Sequence, residues 1–245
     1  MQKENKNQAS PINAKPIVIG MIVMFIIVHI GFHATYIKHF PEFTHFNWIH
    51  HIHGALMGSW VLLLVLQPLL IYKRKFAAHR FLGKLSYVIA PLIVLSMFLV
   101  AKENYQTGLI DTTAVDIMAN QSITWMQLML FVLFYSLAIY YRKLTDWHMR
   151  FMIGTAIVMI GPPMNRILFI YFPAIGIENI LMIVLYLKTT LVFTLFLNDF
   201  AKKKNWIPYF IVLVAFLFSD MVYHARYSDA WQTFGRFIIS NLYNI

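Results

Sequence analysis

Apolar runs long enough to cross a bilayer recur along the whole chain, and nothing else in it constrains the fold as tightly. They fall at residues 17–36, 47–72, 81–101, 123–141, 149–172, 177–197 and 207–223. A hydrocarbon core needs about 20 consecutive apolar residues for a helical crossing. Backbone polar groups in lipid must be satisfied within their own segment, which leaves helices. The expectation is an all-α polytopic transmembrane bundle of about seven spans. Residues 1–16 read as a polar lead on the cytoplasmic side and 17–224 as one transmembrane domain. Residues 225–245 read as a helix lying on the membrane, with Trp231, Phe234, Ile238 and Leu242 at helical spacing.

Composition agrees. The chain is 60% hydrophobic and 12% charged, with a mean hydropathy of +0.64. No soluble domain of this size is that apolar. The formal charge of +10 does not imply nucleic acid, because the charges sit in short loops between apolar runs. With the N-terminus inside, Lys73, Arg74, Lys75, Arg142, Lys143, Arg150 and Lys202 to Lys204 fall on the inner face. Only Lys38, Lys102, Arg226 and Arg236 fall outside. That asymmetry predicts N-inside and C-outside, in a cell membrane of the bacterial inner-membrane type. The first apolar run lacks a pair of small residues before a plausible cut, since Phe32 stands where a cut after Ala34 would want one, so it reads as an uncleaved helix.

Cysteine is absent, which removes disulfides, iron–sulfur clusters and thiolate ligands. Histidine carries most of the remaining ligand chemistry. His29 and His33 stand one turn apart on the first span, as metal-binding pairs do. His50 and His53 open the second span, where Met57, Trp60, Leu64 and Gln67 continue the same face. Together His29, His33, His50 and His53 form a candidate outer-half site for haem or a transition metal. His39, His45 and His51 read as polar anchors at the headgroups. Gly54 and Gly58 would admit a neighbouring helix or a cofactor.

Two basic loops resemble each other. Tyr72-Lys73-Arg74 precedes His79-Arg80, and Tyr141-Arg142-Lys143 precedes His148, with the same tyrosine-to-histidine spacing. Either the paired spans are parallel repeats, or basic loops between helices are alike in composition. His79 and His148 read either as headgroup-level polar groups, with Asp146 capping the helix, or as an inner ligand pair.

Arg166 lies within the fifth span, which Gly161-Pro162-Pro163 is expected to interrupt. A guanidinium there must face an anion: a propionate, a carboxylate such as Asp220 or Glu178, or an anionic substrate. Lys188 is central in its span, and Asp199 on the same helix is three turns away, too far for a direct pair.

These short motifs resemble those of a family of uncharacterised bacterial multi-span membrane proteins. The resemblance rests on His79-Arg80-x-x-Gly83-Lys84, on Asp146-x-His148-x-Arg150-x-Met152 and on Arg166. The layout is also similar to two-haem transmembrane cytochromes b. That second resemblance implies haem b, with His53, His79, His148 and one of His29 or His33 as axial ligands. It also implies an electron donor as a partner. Two other readings remain open. One is an intramembrane zinc hydrolase with Asp220 as its acid, although no H-E-x-x-H motif is present. The other is a transporter or assembly factor with no cofactor and a small-molecule substrate.

Overall fold

The computed structural model describes residues 14–43 and 46–243. His45, Lys3 and Lys6 lie outside them. Among the described residues there is no strand. The helices are α1 (Lys15–His33), α2 (Trp48–Tyr72), α3 (Phe76–Gly83), α4 (Ser86–Gly108), α5 (Ala114–Tyr140), α6 (Thr145–Tyr171), α7 (Ile177–Ala201), α8 (Ile207–His224) and α9 (Asp229–Ile238). Seven spans are long and apolar enough to cross a membrane, α3 and α4 together forming one of them.

The burial pattern is inside-out relative to a water-soluble fold. Ile19, Ile22, Val23 and Ile26 are exposed along α1, and Val214, Leu217, Phe218 and Met221 along α8. Arg150, Lys188, Asp199 and Asp220 are buried. Lipid accepts the first set and cannot satisfy the second, so the bundle interior takes the ionisable groups. The chain is a multi-pass membrane protein.

Helix α6 is the hub, packing against α1, α2, α5, α7 and α8. Small residues let its neighbours come close. A Cβ built on Gly154 would lie 3.1 Å from the Phe134 ring of α5. On α1, a Cβ built on Gly31 would lie 2.5 Å from the Pro163 carbonyl oxygen, so the α1 and α6 backbones touch there. Gly58 has nothing within 4 Å of such an atom, and Gly54 meets only the Tyr36 ring at 3.7 Å. The close approaches are made by Gly31, Gly154, Gly161 and Gly235, not by the pair expected from sequence.

Three boundaries differ from expectation. The polar stretch 102–122 is mostly helical, because Thr113 caps α5 by accepting from the Asp116 backbone N–H at 3.2 Å. Helix α6 continues through Pro162 and Pro163. Each proline lacks an N–H, so the carbonyls of Val158 and Met159 lose their helical donors while the helix goes on. Asp146 lies in the first turn of α6, and Leu144 holds the cap position.

The C-terminal segment docks on protein. Gln232, Gly235, Ile239 and Tyr243 face inward, one position on from the expected stripe, and Phe234 and Leu242 face outward. The Trp231 indole donates to the Met118 carbonyl at 2.9 Å, and Lys102 Nζ donates to the Tyr243 carbonyl at 2.7 Å. Tyr243 sits among Phe98, Tyr105 and Trp125.

Candidate functional site

Helix α2 starts at Asn47, whose side chain accepts from the backbone N–H groups of Ile49 at 3.0 Å and His50 at 3.3 Å. The same carboxamide donates to Glu103 of α4. His50 lies 3.8 Å from Glu103. One turn deeper, His53 Nδ1 meets Ser96 Oγ at 3.0 Å. Ser96 donates its own hydrogen to the Ile93 carbonyl at 2.8 Å, so it accepts from His53. His53 therefore carries its hydrogen on Nδ1 and presents a bare Nε2. Trp60 and Leu64 continue this inward face and are buried.

Arg166 is the electrostatic neighbour of His53 across the bundle. Its guanidinium lies over the Phe32 ring, 4.5 Å from the centroid, and makes a long 3.4 Å contact to the Pro162 carbonyl. Among the described residues it has no carboxylate partner. The two suggested by sequence are engaged elsewhere. Glu178 accepts from Arg226 at 2.8 Å and from the Tyr223 hydroxyl at 3.0 Å. Asp220 accepts from Thr189 at 2.7 Å. Thr35 Oγ1, just past α1, and Asn165 Oδ1, beside Arg166 in α6, are buried without partners.

His29 and His33 do not join this group. At 100° per residue each stands about 160° around α1 from Gly31, which is seated on α6. Both are exposed, and the His29 ring packs tilted against Phe25, with centroids 5.4 Å apart. Among the described residues no three His, Asp or Glu side chains are grouped to hold a metal ion. His51 instead pins the preceding loop, bonded to the Tyr36 hydroxyl at 2.6 Å and packed on Phe43 and Phe46. Burial pushes the Tyr36 phenol above its usual value.

At the other end, His79 and His148 each tie a helix back to the one before it. His148 Nδ1 bonds the Ala138 carbonyl at 2.8 Å, so that nitrogen carries hydrogen. Oriented to satisfy both partners, the Gln67 amide donates to His79 Nδ1 and accepts from the Gly83 N–H at 2.9 Å. The shared tyrosine-to-histidine spacing therefore closes two hairpins. His79 and His148 are close enough to interact electrostatically.

The two-haem arrangement is a poor fit to these residues. His53 and His148 each present a bare Nε2, as a ligating imidazole must. Their proposed partners do not pair with them, since His29 and His33 face away and His79 Nδ1 is engaged by the Gln67 side chain.

Sequence reading missed a buried ion pair. Arg150, counted there only among the inner-face cations at the start of the fifth span, is 3% exposed, and Asp199 is 4% exposed. Arg150 Nε donates to Asp199 Oδ2 at 2.7 Å, and Nη1 donates to the Asp146 carbonyl at 2.9 Å. The spacing of Asp146 and Arg150, one helical turn, was the available signal.

Comparison with protein-family models, curated proteins and solved structures finds no match to this chain.

Proposed function

We propose that the chain is a membrane carrier of a small organic anion, whose charged group sits against Arg166 with His53 beside it. The observation that carries this reading is a guanidinium inside a membrane bundle with no carboxylate partner among the described residues. A group so costly to bury is retained where something anionic comes to it. Arginine offers a planar fork that fits a carboxylate at two points. His53 Nε2 accepts a hydrogen bond from a protonated ligand, or holds a proton beside an anionic one. Phe32 gives the site an apolar wall. The excess of Lys and Arg at the other end of the bundle argues for the N-terminus inside and this site in the outer half.

The test uses protein in proteoliposomes with labelled benzoate, acetate and inorganic phosphate as probes. Saturable uptake of at least one, reduced about 10- to 100-fold in Arg166→Gln, supports the reading. Uptake of none, or uptake unchanged in that variant, ends it.

A second reading is ligation of haem b or a transition metal by a single imidazole. The bare Nε2 atoms of His53 and His148 favour it. Visible spectra of oxidised and reduced protein, with metal analysis on the same sample, decide it. A Soret band or stoichiometric metal lost in His53→Ala or His148→Ala would support it, and a colourless, metal-free sample would remove it.

A further inference from the structure

A second set of ionisable groups lies across α6 from Arg166. Gly161 faces α5 and α7, and a Cβ built there would lie 3.0 Å from Gln127 Nε2 and 3.5 Å from Lys188 Nζ. Arg166 stands about 140° further around the helix, on the α1 side. The two places share α6, and its paired prolines, as a common wall.

Lys188 is 4% exposed and Asp220 6%. They interact electrostatically, yet they form no ion pair within 4.0 Å. Lys188 Nζ lies 5.8 Å from the centre of the Phe216 ring, one turn below Asp220 on α8. Asp220 uses one oxygen, Oδ2, to accept from Thr189. Its other oxygen, Oδ1, is buried with no partner. A carboxylate oxygen left bare in a bundle core is expensive, and a proton on it removes most of that cost.

One turn beyond Asp220 is His224, exposed at the end of α8 and bonded through Nε2 to the Tyr186 hydroxyl at 2.6 Å. His224 also acts electrostatically on Asp220. Around the pair, α5 contributes the neutral Gln127, α6 contributes Gly161, and α7 contributes Lys188, Thr189 and Tyr186. At the same end Glu178 is already held by Arg226 and Tyr223.

We propose that Asp220, with Lys188 beside it and His224 one turn nearer the helix end, is a proton-binding site that drives the anion carrier. In the loading step a hydronium O–H bond breaks and an O–H bond forms on Asp220 Oδ1. Release reverses this, returning the proton to water. Proton binding stands by itself, and its coupling to anion movement rests on the carrier reading.

The experiment is infrared difference spectroscopy of the full-length protein in nanodiscs, titrated over about pH 4 to 9, where carboxyl groups change state. A protonated-carboxyl C=O band should appear and vanish with pH. It should be lost in Asp220→Asn, change frequency in Asp220→Glu, and change midpoint in Lys188→Met. It should persist in Arg166→Gln. No titrating band in the unaltered protein, or a band that survives in Asp220→Asn, overturns the proposal. The wild-type titration decides even where a variant fails to fold. The coupling is read separately: a pH gradient should drive benzoate uptake in wild type and not in Asp220→Asn. If the band behaves as stated but no probe anion is taken up, the carrier reading fails and the proton site stands.

Discussion

Arg150 Nε and Asp199 Oδ2 lie 2.7 Å apart, between two helices and almost wholly out of contact with solvent. The pair fastens the start of α6 to the end of α7. The Tyr209 ring lies 5.6 Å from the guanidinium, and the Asp146 carbonyl takes a second N–H. Removing Arg150 leaves the Asp199 carboxylate buried and uncompensated, at a cost of about 3–5 kcal/mol, and removing Asp199 leaves the buried guanidinium only the half-exposed Asp146 carboxylate at 3.4 Å. Arg150→Met and Asp199→Leu should each lower the melting temperature in detergent sharply. The double variant should recover most of the loss, because no unpaired charge remains. Additive losses would mean that the pair contributes more than charge compensation.

The α1–α6 contact makes a paired prediction about glycines. At Gly31 an added methyl meets the Pro163 backbone, which cannot move aside cheaply. Gly31→Ala should destabilise by about 1–3 kcal/mol, the usual range for overpacking. Gly58→Ala, with open space around it, should be neutral or should stabilise by up to about 1 kcal/mol through helix propensity. Thermal unfolding of the two variants side by side checks both signs, and equal effects would contradict the packing described.

The C-terminal latch has a predictable alkaline limit. The Trp125 indole donates to the Tyr243 hydroxyl at 3.1 Å. Burial raises the Tyr243 phenol above its usual value, and the indole bond opposes this. A folded-state value above the unfolded one means stability that is complete below about pH 10 and lost as pH rises through the folded value. Tryptophan fluorescence should shift to the red in that window as α9 leaves α5. Tyr243→Phe should remove the alkaline step while leaving the latch closed near neutrality. An unchanged alkaline step would assign it to another tyrosine.

The hairpin histidines should behave as structural clamps. His148→Ala leaves the Ala138 carbonyl without its side-chain donor and should cost about 1–2 kcal/mol. His148→Gln, able to donate again, should recover part of it. Unfolding midpoints of the two variants measure this. Equal losses would point to a role for the imidazole beyond its hydrogen bond, which the visible spectrum would then identify.

The sequence by itself determined that the chain crosses a membrane as helices, and how many times. That information is local, because each span satisfies its own backbone and needs only length and apolarity. It also marked Arg166 and Lys188, since charge inside a span is conspicuous wherever it packs. Which residues meet was decided only by the tertiary structure. Gly31 seats on Pro163, Arg150 reaches Asp199, and Lys188 approaches Asp220, each contact joining two different helices. Lipid and neighbouring helices are both apolar, so the periodicity that separates a core face from a solvent face in water-soluble helices is faint here. His29 and His33 looked like ligands by spacing alone. The rotation of α1, fixed by one glycine contact, turns them away from His53.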